Sequence, residues 1–137
     1  MYRRTSQQVK VPPRCGLAAV EFALSLPLLM ILIFGSIEAS NAIFLRQAMT
    51  ITAFETAQIA SSVGGTEAEA KLRGNELLTT FNIQDATIDI QPSIDSTIAR
   101  GTPMRVEITA PSKANSIGPA WFLKEIMYKR VFTMYRL

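Results

Sequence analysis

A single carboxylate within a long apolar segment is the residue of this sequence best placed to do chemistry. Glu21 is the only charged residue from Leu17 to Ile37. A charged side chain at the centre of a membrane helix costs about 2.5–3.5 kcal/mol, and less near the interface, so ionisable residues there usually have a function. We therefore expect some feature of the protein to offset the cost of this charge.

The residues on which most enzymes depend are absent or poorly placed. The chain has no histidine, which is the commonest general base and transition-metal ligand. Its one cysteine, Cys15, cannot form an internal disulfide. The carboxylate pairs Glu67/Glu69 and Asp85/Asp89 fall where solvated charges on a helix or strand are expected. We predict a protein that is not an enzyme and that binds no cofactor, no metal and no small-molecule substrate.

The positive charge of the chain is concentrated before the apolar segment. Residues 1–16 contain no acid and four bases, which are Arg3, Arg4, Lys10 and Arg14. The whole chain has 14 basic and 11 acidic residues, so the remainder has one more acid than bases. A nucleic-acid interface needs Lys and Arg clustered in the folded part, and we therefore expect no nucleic-acid partner.

The apolar segment is long enough to cross a bilayer. A helix over residues 17–37 would be about 31 Å long, close to the ~30 Å hydrocarbon core. A proline in its interior is tolerated in membrane helices. By the positive-inside rule, residues 1–16 form a cytoplasmic leader and residues 38–137 lie on the far side. The residues assigned to the membrane helix are Phe22, Leu24, Leu26, Pro27, Leu28, Leu29, Ile31, Leu32, Ile33 and Phe34.

Two alternatives remain open for this segment. A soluble protein could bury the helix in its core, although a chain of 137 residues has little protein with which to surround it. A secretory signal peptide also has a basic start and an apolar core, and Ser40-Asn41-Ala42 is a weak match to its cleavage site. Against the signal peptide, the apolar run is longer than usual and carries Glu21 in its leading edge.

The residues around Glu21 resemble a known processing motif. The stretch from Gly16 to Phe22, Gly-Leu-Ala-Ala-Val-Glu-Phe, is similar to the cleavage motif of type IV prepilins and pseudopilins. With Arg14, Gly35 and Glu38, it resembles the TadE-like minor pseudopilins of the tight-adherence (Flp) pilus system over about residues 14–60. TadE and TadF types share this pattern. The resemblance implies that a prepilin peptidase cuts after Gly16 and leaves the apolar helix in place.

The resemblance also implies a role for Glu21 and a set of partners. Cleavage would make Leu17 the first residue, with a new amine, and Glu21 the fifth. The carboxylate of one subunit could then pair with the amine of its neighbour. Expected partners are the prepilin peptidase, other pilin or pseudopilin subunits, the pilus assembly platform and the lipid bilayer of the bacterial inner membrane. The alternative is an uncleaved single-pass anchor whose outer domain binds a partner or a cell-wall component.

The sequence after the membrane segment first predicts a continuation of the helix. Residues 38–63 lack proline and glycine, and Gly64-Gly65 follows as a stop. Apolar side chains at helical spacing suggest one face that packs mainly within the chain, with some contact to partner chains. The residues of this expected face are Ile37, Phe44, Ala48, Ile51 and Ile59.

Residues 64–137 are predicted to form a small extracytoplasmic domain. Thr66 and Glu69 form a possible capping box for a second helix that ends near Thr80. Alternation with period two predicts strands over residues 86–91 and 104–110, and a third strand over 128–136. A short helix over 119–127 would precede the third strand. The residues expected to be buried on the second helix are Ala70, Leu77, Leu78 and Phe81.

The C-terminal aromatic residues permit two interpretations. They could form an aromatic core, or a membrane-interface belt beside nearby lysines and arginines. These residues are Trp121, Phe122, Tyr128 and Tyr135. In either case the fold class is α+β: a long N-terminal membrane-spanning helix that continues into a small domain with a second helix and about three antiparallel strands.

Overall fold

The computed structural model describes residues 15–94, 98–117 and 125–137. The elements are α1 (Cys15–Ser61), α2 (Glu67–Thr80), β1 (Thr87–Gln91), β2 (Pro103–Pro111), a short 3-10 helix (Lys113–Asn115) and β3 (Met127–Tyr135). The predicted α+β class is confirmed. The chain divides into two compact units, the first ending at Ile33 and the second beginning at Phe34.

Within the second unit, the buried face of α1 consists mostly of small side chains. Ile37, Phe44 and Ile51, which were expected to pack within the chain, are 42%, 51% and 47% exposed. The expectation is wrong for Ile37 and Ile51 and holds in part for Phe44, whose ring packs against Phe81, because alanine and threonine make up most of the buried face. Of the expected face, Ala48 is buried and Ile59 is half-buried. The buried residues are Glu38, Leu45, Ala48, Met49, Thr52, Ala53, Thr56, Ala57, Ala60 and Ser61.

The end of α1 is fixed by two glycines and by the C-terminus of the chain. The helix ends at Ser61, two residues before the predicted end. Gly64 has a positive φ of 77°, and a Cβ on Gly65 would collide with the carbonyl oxygen of Ile59. The guanidinium of Arg136 donates a hydrogen bond to the Ala60 carbonyl oxygen at 2.7 Å. A cation at a helix C-terminus also interacts favourably with the helix dipole.

The second helix begins at the predicted capping box. The Thr66 side chain accepts a hydrogen bond from the Glu69 N–H, and the Glu69 side chain accepts one from the Thr66 N–H. These two bonds satisfy N–H groups that have no partner inside the helix. Ala70 and Leu78 are buried as expected, while Leu77 and Phe81 are half-buried.

The three strands form a meander in the order β1-β2-β3, with both pairs antiparallel. The alternating apolar residues of β2 face the core, as the period of two predicts. They lie opposite apolar residues of both neighbours, for example Ile108 beside Ile88 and Val106 beside Phe132. The fully buried residues of this strand are Met104, Val106, Ile108 and Ala110.

The helix α1 lies on the inner face of the sheet and runs in the same direction as β3. Successive contacts join positions that increase along both elements, so the two directions agree. In chain order they are Arg46 over the Tyr128 ring, Phe54 edge-on to Phe132, and the Leu137 N–H donated to the Ser61 carbonyl oxygen.

A single asparagine connects three parts of the second unit. The Asn115 side chain accepts a hydrogen bond from the Gln84 N–H and donates to the carbonyl oxygens of Gln84 and Pro111. The backbone carbonyl oxygen of Asn115 accepts a hydrogen bond from the Asn41 side-chain amide at 2.6 Å. These bonds attach α1 and the segment after α2 to the end of β2.

Several sequence predictions fall outside the described residues. They include the basic leader with Arg3, Arg4, Lys10 and Arg14, and most of the predicted helix over 119–127 with Trp121 and Phe122. The described end of that segment does not continue a helix, since Glu125 has a φ of 60° and β3 begins at Met127. The other two C-terminal aromatic residues differ in burial: Tyr128 is buried, whereas Tyr135 is 65% exposed.

Candidate functional site

The N-terminal part of α1 presents an apolar surface on every side. Each residue from Gly16 to Ile33 is exposed, including Leu17 at 65% and Leu24 at 76%. One helix of the described chain, Gly16–Ser61, is long and apolar enough to cross a membrane. The most apolar 18 residues of this helix include no buried residue. The core helix of a soluble protein is mostly buried, which these residues are not in the described part of the chain.

The helix is continuous through the proline in its apolar part. Pro27 lies inside α1, which has no break between Cys15 and Ser61. The residues assigned from the sequence to the membrane helix therefore all lie on one helix. An exposed apolar helix of this kind fits a single-pass membrane protein. Lipid tails can surround its apolar side chains, and the helix forms its backbone hydrogen bonds internally, so it needs no water.

Glu21 lies on this exposed part of the helix. Among the described residues it forms no ion pair, and its backbone carbonyl oxygen accepts a hydrogen bond from the Ser25 hydroxyl at 2.9 Å. That bond satisfies the hydroxyl within the helix itself. No positive group of the described residues pairs with the Glu21 carboxylate.

Gly16 and Leu17 form the first turn of α1. A Cβ added to Gly16 would meet no atom within 4 Å, so the fold of the described chain does not require glycine at this position. Glycine weakens a helix by about 1 kcal/mol relative to alanine. Gly16 therefore makes the first turn of the helix less stable than alanine would.

A second carboxylate, Glu38, lies near the start of the second unit and is only 3% exposed. It borders a small cavity of about 10 Å³ together with Asn41, Ala42, Leu45, Ser112, Ser116 and Tyr128. The sequence had identified Glu38 only through the family resemblance. Polar neighbours from α1 and from the segment after β2 surround it, as a buried carboxylate requires.

Beyond the apolar N-terminal part, α1 keeps an exposed apolar face, which we call the outer face of α1. Its residues fall within roughly one third of the helix circumference at 3.6 residues per turn. Two of them also touch the domain, since Phe44 packs edge-on against Phe81 and Phe54 against Phe132. The residues of the outer face are Ile37, Ile43, Phe44, Ile51 and Phe54, which are 39–56% exposed.

The carboxylate pairs considered from the sequence have structural roles or are exposed. Glu69 forms the capping box, and Glu67 pairs with Lys71 at 2.6 Å. The Lys71 ammonium lowers the pKa of Glu67, against a smaller effect of burial, and the Ile94 N–H contributes to the lowering. Asp85 and Asp89 are exposed. In the part of the chain that the structure describes, no group of three or more His, Cys, Asp or Glu side chains could hold a metal ion.

The exposed apolar helix with one carboxylate near its start is the arrangement that the sequence resemblance implied. Residues 16–58 match the family model of TadE-like proteins. The matched segment begins at the glycine of the expected processing site and ends three residues before the end of α1. The resemblance found in the sequence is thus confirmed for α1.

The TadE-like match supports a role associated with the Tad pilus, and this family is not an enzyme family. The match covers neither α2 nor the sheet. No curated protein and no solved structure matches the chain significantly. The TadE-like segment therefore contains Gly16, Glu21, Glu38 and the outer face of α1. The rest of the second unit is described only by its structure.

Proposed function

We propose that this chain is a TadE-like minor pseudopilin, cut after Gly16 by a prepilin peptidase, that acts in assembly of a tight-adherence (Flp-type) pilus. One observation carries the proposal. An apolar helix that its own chain leaves uncovered begins with Gly16 and Leu17 and carries the lone carboxylate of Glu21 one turn later.

The proposed location is the bacterial inner membrane, with a single crossing by residues 17–37. Residues 1–16 form the cytoplasmic leader, because their four bases favour the inner side. Residues 38–61 continue the helix outside the membrane, and residues 64–137 form the small outer domain. The outer domain is held to the helix by the buried face of α1, so both would move as subunits are added to a pilus.

Glu21 is proposed to set the position of one subunit against the next. Glu21 is the fourth residue after Leu17, which corresponds to a rise of about 6 Å along a helix. Pairing with the Leu17 amine of a neighbour would therefore offset the two helices by about 6 Å. An unpaired carboxylate is costly in a low-dielectric environment, so the pair favours this offset over others.

The outer face of α1 is proposed to contact other pilin or pseudopilin subunits and the assembly platform. Its large side chains remain 39–56% exposed, although smaller residues of the same helix are buried. Contiguous exposed apolar surface usually marks a place where a protein meets a partner or a membrane. This supports an assembly role over that of a simple tether.

Substitutions at Gly16 test the processing step. With a prepilin peptidase co-expressed, Gly16→Leu is expected to keep the leader, with processing reduced about 100-fold or more, whereas Gly16→Ala is processed in part. The fold is not at issue, because nothing lies within 4 Å of a Cβ at this position. Processing is measured from the ratio of long and short forms by intact mass spectrometry.

A matched control places the same side chain beyond the scissile bond. Ala23→Leu adds leucine at an exposed position of the same helix and is expected to be processed like the wild type. Normal processing of Gly16→Leu would contradict the proposed cleavage site. The uncleaved anchor with a partner-binding outer domain would then be the better account.

A further inference from the structure

The outer edge of β3 is an unpaired strand edge in the described part of the chain. The Ser112 N–H donates to the Ile126 carbonyl oxygen and the Arg136 N–H donates to the Thr102 carbonyl oxygen, so even-numbered positions bond towards β2. The odd-numbered positions direct their N–H and C=O groups away from β2. Within residues 15–94, 98–117 and 125–137, no strand pairs with them. They are Met127, Lys129, Val131, Thr133 and Tyr135.

This edge lacks most of the features that protect exposed strands. β3 has nine residues and no proline, whereas the other edge strand, β1, has five residues and is followed by Pro92. Short edges, prolines and outward charges normally prevent pairing with another chain. The one outward charge, Lys129, is paired at 2.5 Å with Glu107 of the neighbouring strand. The edge is therefore open to an additional strand, except at the Lys129 carbonyl oxygen, which accepts a hydrogen bond from the Arg130 guanidinium at 3.2 Å.

A groove with positive charge lies beside this edge on the inner face of the sheet. It has a volume of about 400 Å³ and is lined by Arg46, Gln47, Thr50, Ile51 and Arg130. Neither arginine forms an ion pair with a described residue. Inner-face side chains of a strand added to β3 would enter this groove. Carboxylates fit best there, because guanidinium groups bind them through charge-assisted hydrogen bonds.

Two occupants from the chain itself fit poorly. A second copy pairing antiparallel through β3 would be related by a two-fold axis perpendicular to the sheet, which reverses every direction in the sheet plane. Since α1 lies on the sheet and runs along β3, the two chains would enter their domains from opposite ends. Copies anchored in one membrane enter from the same side. The leader of a neighbouring copy has four bases and no acid, so the two arginines would repel it.

We propose that the outer edge of β3 accepts an extended acidic segment of a partner protein as an additional antiparallel strand. The backbone groups of β3 supply affinity, and Arg46 and Arg130 select for acidic side chains at alternate positions of the added strand. The proposal concerns the outer domain and does not depend on cleavage after Gly16.

A peptide of defined sequence tests this proposal with the full chain in lipid nanodiscs. The probe is a fluorescent peptide of nine residues, the length of β3, in which glutamate alternates with threonine and valine. Binding is measured by anisotropy, and protection of β3 amides is measured by hydrogen exchange. The wild type is expected to bind the acidic peptide at least 10-fold more tightly than the same peptide with lysine in place of glutamate.

Two kinds of variant separate backbone pairing from charge. Val131→Pro removes an outward N–H without removing a bond to β2, and it is expected to weaken binding at least 10-fold. Arg46→Glu with Arg130→Glu is expected to do the same. The control, Arg100→Glu with Lys113→Glu, makes an equal change of charge at exposed positions and should change binding less than 2-fold.

A proline at the centre of the peptide supplies the same test without altering the protein. It too should weaken binding at least 10-fold, even if Val131→Pro proves unstable. Absence of binding to the wild type, equal binding of acidic and basic peptides, or equal binding of the proline peptide would overturn the proposal. A dimer in nanodiscs that Val131→Pro abolishes would also overturn it, by assigning the edge to a second copy.

Discussion

Glu21→Gln is expected to give a chain that is folded and processed but that joins pilus subunits about 100-fold less well than the wild type. Glu21 lies in the first unit and is exposed, so its replacement leaves the core of the second unit unchanged. Removing one partner from a buried ion pair typically costs 3–5 kcal/mol. Each 1.4 kcal/mol corresponds to a factor of ten in association, so a loss of 100-fold is a low expectation.

The measurement is the amount of the chain that co-purifies with pilin and pseudopilin subunits from cross-linked membranes. Ser25→Ala is the matched control, since Ser25 lies one turn further along and bonds only to the Glu21 backbone. It should co-purify like the wild type. If Glu21→Gln is processed normally and co-purifies like the wild type, Glu21 has no role in assembly. A carboxylate is then present there only because a charge near the membrane interface costs little.

Gly74→Leu is expected to destabilise the second unit by about 3 kcal/mol, the upper end of the usual cost of overpacking a core. Gly74 is buried in α2, at a point where this helix approaches α1 and β1. A Cβ there would lie 2.5 Å from the end of the Ile88 side chain and 2.7 Å from the Thr56 hydroxyl. A leucine would force these elements apart, although it removes the helix penalty of about 1 kcal/mol for glycine.

Thermal unfolding of the full chain in detergent micelles measures this effect by near-ultraviolet circular dichroism. For a domain of this size, about 3 kcal/mol corresponds to a decrease in Tm of roughly 12–20 °C. Asn75→Leu adds the same side chain at the next, exposed position of α2, and it should change stability by less than about 0.5 kcal/mol. Equal stability of the two variants would contradict the close packing of α2 on α1.

The sequence was most informative where one local pattern determined the structure. The unbroken apolar run predicted a helix that the rest of the chain does not bury. The Thr66/Glu69 pair predicted the start of α2 to the residue, because a capping box uses two side chains at fixed spacing. Alternation with period two predicted the buried residues of β2, since successive side chains of a strand point to opposite faces.

The sequence was least informative about which face of α1 is buried. Large apolar residues suggested the face of Phe44 and Ile51, whereas the buried face contains Ala53 and Ala57. A search for hydrophobic periodicity favours the face with the largest apolar side chains. A helix can pack closely against other elements, however, on a face of small side chains. The sequence also did not predict the burial of Glu38, because several residues around it are distant in sequence. These are Ser112, Ser116 and Tyr128.

The strand order and the outer edge of β3 depend on tertiary contacts. Nothing in the period of two distinguishes a central strand from an edge strand when both alternate. The nine-residue pairing of β2 with β3, beside five residues with β1, leaves β3 as the long edge. That edge became a candidate interaction surface only once Arg46, from α1, was placed beside Arg130.

The most direct test of the account is the N-terminal residue of the wild-type chain from membranes of its native host, measured by N-terminal sequencing and intact mass. The account predicts a mature chain that begins at Leu17, with the carboxylate of Glu21 at its fifth position. A chain that retains residues 1–16 in the presence of an active prepilin peptidase would contradict it.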